Sequence, residues 1–160
     1  MKFRNTNVLI TGGASGIGKI MGRKKKEKGA SMVIIWDINP QNIALSTQEL
    51  GKYGKVRGYV TDVSNSDNVI ENYNKVKAEC GRVDILINCA GIVTSNKTFD
   101  KQSYEEMVKT MNINTLAPMF VTRAILPDML ERNSGHVCNI ASAGGMLGNP
   151  RMSVYGASKW

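Results

Sequence analysis

Five short runs rich in Val, Ile and Leu, at positions 8–10, 32–36, 56–60, 85–87 and 137–140, recur along the chain with longer amphipathic stretches between them. Each is bounded by Gly, Asp or Asn, and three are apolar almost without interruption. A strand that is apolar on both faces belongs in a sheet covered on both sides, which is the condition of a parallel sheet. The stretches between carry helix-start signals. Ser64-Asn65-Ser66-Asp67 and Ser103-Tyr104-Glu105-Glu106 both fit the Ser-x-x-acid capping box, whose side chains satisfy free N–H groups of a first turn. Over 107–130 apolar residues return at helical spacing, with Pro118 expected to kink the helix and Pro127 near its end. Strand–helix–strand repeated four times is the pattern of an α/β fold with a doubly wound parallel sheet, Rossmann-like.

The 160 residues suit one domain over 1–160, and 42% hydrophobic content excludes disorder as the default state. The longest apolar run, 32–36, has five residues where a membrane-spanning helix needs roughly 20, so no span is expected. Met1-Lys2-Phe3-Arg4-Asn5 leads into no apolar signal region, because Val8-Leu9-Ile10 ends at once in Thr-Gly-Gly; a cytoplasmic protein is expected. The net charge of +8 raises nucleic acid as a partner, but half of it sits in residues 23–28 and aromatics are only 6%, which argues against that class. Cys80, Cys89 and Cys138 form no CxxC pair and, with the single His136, no recognised metal spacing. Reduced thiols, a structural His136 at a strand entrance and no metal are therefore expected. The first helix should carry an inward stripe from Ile17, Ile20 and Met21 to positions 24, 25 and 28, which are all lysine. Either those lysines form a solvated face with buried stems or the helix packs less firmly there.

Thr11-Gly12-Gly13-Ala14-Ser15-Gly16-Ile17-Gly18 follows the first strand and opens the first helix. A loop so placed turns backbone N–H groups and the positive end of a helix toward a phosphate, and glycine admits close approach. The spacing is Gly12-x-x-x-Gly16-x-Gly18 rather than G-x-G-x-x-G, and a tight structural turn is the alternative. The overlapping Gly13-x-x-x-x-Gly18-Lys19-Ile20 lacks the Ser or Thr that would hold Mg²⁺ in a P-loop nucleotidase. Asp37 ends the second strand 19 residues after Gly18, where a carboxylate accepts hydrogen bonds from ribose hydroxyls and repels a 2′-phosphate. With Ser15 rather than a basic residue before Gly16, this favours NAD over NADP. Asp37 could alternatively cap the following helix.

Tyr155 and Lys159 stand four residues apart, on one face of a helix, 13 residues after Ser142. An ammonium beside a phenol favours the phenolate, which suits the hydroxyl to general acid–base work near neutral pH. By itself Y-x-x-x-K arises often by chance; the company of Ser142, the glycine loop and Asp37 makes it specific.

These motifs, with Asp62-Val63, Asn88-Cys89-Ala90-Gly91 and an Asn in the long helix, resemble the N-terminal part of a short-chain dehydrogenase/reductase over residues 7–159. Residues 35–39 and 114–117 further resemble the branch of retinol and 17β-hydroxysteroid dehydrogenases. The resemblance implies an oxidoreductase that transfers a hydride between NAD(H) and a small alcohol or carbonyl substrate. Tyr155 would exchange the proton with the substrate oxygen, Lys159 would lower the Tyr155 pKa and bond the nicotinamide ribose, and Ser142 would hydrogen-bond the same substrate oxygen. The helix Asn, anchoring a water, is assigned to Asn114 over Asn112. Gly12, Ser15, Gly16, Ile17 and Gly18 would hold the cofactor phosphates, and Asp37 the ribose. Asp62 and Val63 would meet the adenine. Asn88 would stabilise the sheet centre, with Ala90 and Gly91 running close to the cofactor. Thr11 would brace the loop. Homo-oligomers are usual in the family. Family members continue beyond Lys159 with the rest of that helix, two strands and a substrate lid, so the sheet is expected to be incomplete at its C-terminal edge and this piece alone to turn over poorly. The alternative function is an inactive dinucleotide-binding module.

Overall fold

The computed structural model describes residues 3–160, so the leader expectation at Met1 and Lys2 falls outside the described residues. Five strands, β1 (Asn7–Thr11), β2 (Met32–Asp37), β3 (Val56–Val60), β4 (Ile85–Asn88) and β5 (His136–Asn139), form one parallel sheet in the order β3-β2-β1-β4-β5. Helices α1 (Gly16–Glu27) and α2 (Pro40–Gly51) cover one face; α3 (Ser66–Cys80) and α5 (Ala117–Glu131) cover the other. Strand alternation divides the core between the two faces. Val8, Ile10, Val33, Ile35, Ile85 and Ile87 pack with Ile43 and Leu50, while Leu9, Ile34, Trp36 and Leu86 pack with Val69, Tyr73, Val76, Val121 and Ile125. Each such side chain taken from water contributes roughly 1.5–3 kcal/mol. The chain reverses winding direction between β1 and β4, and in open parallel sheets that is where a crevice opens beyond the strand ends.

The inward face of α1 differs from the stripe expected. Gly18, Gly22 and Lys26 are buried, whereas Ile17 and Ile20 are 63% and 54% exposed. The glycines explain it. A Cβ on Gly22 would stand 3.2 Å from Leu50 Cδ1 and 3.4 Å from Val33 Cγ1, so the helix approaches the sheet along its bare ridge. Lys26, one turn further on, lays its stem inward and donates from Nζ to the carbonyls of Ala30 (2.7 Å) and Ser31 (3.0 Å). Burial first, then the nearby Lys55, holds this amine below its ordinary value. Lys24 pairs with Glu27, and Lys25 sits 4.1 Å above the Phe3 ring.

Two local expectations also change. Asn65, not Ser64, caps α3, accepting from Asp67 N and Asn68 N, because the Ser64 hydroxyl is committed to Asp62 Oδ1 at 2.6 Å. The long helix is two: α4 (Tyr104–Met111), begun by the expected Ser103–Glu106 capping box, and α5, joined by a π-helical segment, Asn112–Leu116. Pro118 has no N–H to return to the preceding turn, and the wider segment lies just ahead of it. No helix among the described residues is long and apolar enough to cross a membrane.

Candidate active site

At the strand C-termini a groove of about 1350 Å³ runs from the glycine loop to α6 (Ser153–Lys159). All the residues expected to do chemistry or bind the cofactor line it except Asn88 and Asn114.

Its first end is built by the glycine loop. Gly12 has φ +63° and would carry a Cβ only 2.9 Å from Ala90 Cα; Gly18 is pressed against the Gly12 carbonyl. Gly16, at φ +48°, faces open space. Thr11 braces the loop as expected, its Oγ1 accepting from Cys89 N and Ala90 N at 3.1 Å each. The first turn of α1 has no acidic residue, and the Ser15 side chain makes no capping bond, so no side chain of that turn offsets the positive helix end. Across the groove, Asp37 accepts from Ala14 N and Asn39 N at 3.1 Å, tying the glycine loop to the end of β2. The cap of α2 is Asn39, which accepts from Asn42 N, so the capping alternative for Asp37 does not hold. Asp62 accepts from Ser64 N and Oγ, beside Val63, which is buried.

The other end gathers the polar groups expected to do chemistry. Ser142, after β5, opens a single 3₁₀ turn, Ala143–Gly145, and accepts from Gly144 N at 3.1 Å. A Cβ on Gly144 would lie 3.3 Å from Tyr155 Cε1 and 3.4 Å from Ser142 Oγ, so the serine and the phenol flank this glycine. Lys159 donates to Ile140 O at 3.1 Å, and its Nζ would stand 3.2 Å from a Cβ on Gly91. Burial holds the Cys89 thiol above its ordinary value, against the nearby Lys159 charge, so it lines the groove protonated.

Asn88 takes no part in the groove. Its amide donates to Thr122 Oγ1 (3.0 Å) and Asn139 Oδ1 (2.8 Å), joining β4 to β5 and α5. These bonds suit the bracing of the sheet centre expected of Asn88. Asn114 lies just behind the wall, 4% exposed, with Oδ1 accepting from Ile92 N (2.8 Å) and Nδ2 donating to Ile92 O (2.9 Å). Asn112 lines the groove itself. Sequence reasoning missed Ile92 and the groove wall from α4, Tyr104 and Val108 among them, because neither carries a motif.

The short chain dehydrogenase family model matches residues 6–160. The chain belongs to this family. Its relatives include human 17-beta-hydroxysteroid dehydrogenase 13, 37% identical over 96% of this chain and 51% of that protein, and the 3-oxoacyl-(acyl-carrier-protein) reductase FabG of Thermotoga maritima, 36% identical over 99% and 64%. Among solved structures, an NAD⁺-bound xylitol dehydrogenase superposes with a TM-score of 0.95 at 28% identity, covering 99% of this chain and 61% of that one. A Burkholderia phymatum family member in complex with NAD gives 0.94 at 28% identity, covering 99% and 57%. This short-chain dehydrogenase sequence thus spans about half the length of the curated hydroxysteroid dehydrogenases it matches.

Proposed function

We propose that this chain carries the dinucleotide-binding and proton-transfer part of an NAD-dependent oxidoreductase acting on a small alcohol or carbonyl compound. The observation that carries the proposal is the convergence of Ser142, Tyr155 and Lys159 at one end of a groove whose other end is an open helix N-terminus. The donor set fits NAD(H). The space at Gly16 accepts a phosphate against α1, and the Asp37 carboxylate suits ribose hydroxyls while disfavouring the 2′-phosphate of NADP. When bound, the nicotinamide supplies or accepts the hydride. The chain does the rest. Tyr155 passes its phenolic proton to a carbonyl oxygen, or takes one from an alcohol, and Ser142 donates a hydrogen bond to the same oxygen as charge develops. The Lys159 ammonium, held against Ile140 O beside Gly91, would bond the nicotinamide ribose. The named relatives act at the alcohol–carbonyl level on dissimilar molecules, which supports the reaction class and leaves the substrate to a panel of secondary alcohols and ketones.

The test is Tyr155→Phe beside the unaltered residue, both in the full-length protein. Turnover should fall at least about 100-fold, within the usual contribution of a general acid–base, while NADH affinity by fluorescence stays within twofold. Unchanged turnover ends the proton-transfer role, tighter binding of NADPH than NADH ends the role given to Asp37, and preference for ATP ends the dehydrogenase reading.

A further inference from the structure

Tyr155 and Lys159 both ride on α6, so the rotation of that helix against the groove sets where the two groups stand. Ser158 lies between them in sequence and is 8% exposed. Its hydroxyl accepts from Asn114 Nδ2 at 2.9 Å and donates to Tyr155 O at 2.8 Å, and its carbonyl accepts from Thr115 Oγ1 at 3.2 Å. The same Asn114 amide grips both backbone groups of Ile92, beside Gly91 on the groove wall. Successive residues of an α-helix diverge by about 100° and do not normally share a target. Here Asn114 and Thr115 both reach Ser158, and both belong to the π-helical segment that precedes Pro118.

We infer that Ser158 is a positioning residue: it joins the Asn114 clamp on Ile92 to the turn of α6 carrying Tyr155 and Lys159, fixing wall and proton-transfer groups relative to one another. A hydroxyl suits this place because it can accept one bond and donate another, whereas alanine leaves one Asn114 N–H short of its acceptor and takes the hydroxyl bond from the Tyr155 carbonyl. The inference rests on the proposed roles of Tyr155 and Lys159, but part of its test needs no turnover.

In Ser158→Ala, exchange of the Ile92 amide followed by NMR should accelerate at least tenfold while the Ile10 and Ile35 amides of the sheet change less than twofold. Turnover should fall about tenfold with NADH affinity held within twofold, and Ser158→Thr, which keeps the hydroxyl, should recover most of it. If Ser158→Ala does not fold, Thr115→Val, which removes the bond to the Ser158 carbonyl and the weak 4.0 Å contact with Met111 Sδ, should still accelerate amides 155–159 at least threefold over those of the sheet. Exchange that is unchanged, or raised equally across the sheet, overturns the positioning role whatever the turnover. Local acceleration alongside a fully active Tyr155→Phe leaves the clamp standing and removes the proton-transfer role of Tyr155 instead.

Discussion

Two alanine substitutions separate a phosphate cradle from a mere turn: Gly16→Ala and Gly18→Ala. A Cβ at position 16 meets nothing within 4 Å, so the cost to the fold is the left-handed backbone alone, about 1 kcal/mol for φ +48°. A Cβ at position 18 runs into the Gly12 carbonyl, with Gly12 C at 2.9 Å and Gly13 Cα at 3.0 Å. All three atoms are backbone and cannot rotate aside, so α1 must lift from the loop at a cost of roughly 1–3 kcal/mol. Urea unfolding of the ligand-free proteins should rank Gly18→Ala as the less stable variant. NADH titration by fluorescence should show both variants weakened at least tenfold, about 1.4 kcal/mol, since the methyl at position 16 occupies the space beside the open helix end. Gly51→Ala, whose Cβ also meets open space but lies at the far end of α2, is the control and should bind like the unaltered chain. If Gly16→Ala loses stability yet keeps its NADH affinity, the loop is a structural turn and the cradle argument fails.

Thr11→Val removes one oxygen that accepts from two backbone amides, Cys89 N and Ala90 N; unfolding free energy should drop by about 1–3 kcal/mol, with Thr11→Ser keeping most of it, and equal stability of the Val and Ser variants in urea would count against the brace. The Tyr73 phenol, buried and donating to Asp128 Oδ2 at 2.6 Å, is held above its ordinary value of 10.0, by burial first and by Asp128 next. The folded chain therefore keeps this proton where the unfolded chain releases it, so the contribution is whole below pH 10 and is lost as pH rises beyond it. Urea midpoints between pH 8 and 11 should fall less steeply for Tyr73→Phe than for the unaltered chain; Tyr59, raised chiefly by burial, leaves part of the slope in place.

The branched apolar runs, the glycine loop and Y-x-x-x-K were legible because each depends on local order. A strand buried on both faces must be apolar throughout, a loop that meets a phosphate must be short of side chains, and two groups on one helix face must stand three or four residues apart. That logic placed the five strands to within a residue or two and put Gly16, Asp37, Ser142, Tyr155 and Lys159 on one groove. It failed where a residue's role depends on what lies across the fold. Ile17 and Ile20 look like core by hydropathy, yet Gly18 and Gly22 take the inward side, because contact distance rather than apolarity decides which ridge of α1 meets the sheet. Lys26 looks like surface, yet two carbonyls past the helix end receive its ammonium. Asn88 and Asn114 share the same amide chemistry; one braces β4 against β5, the other clamps Ile92 behind the groove. Sequence by itself determined which segments are strands and helices and which residues bear reactive groups, because backbone preference and chemistry belong to each residue in its local run. Only the tertiary structure decided which faces touch and which polar atoms find partners, since packing and hydrogen bonding are settled by groups far apart along the chain.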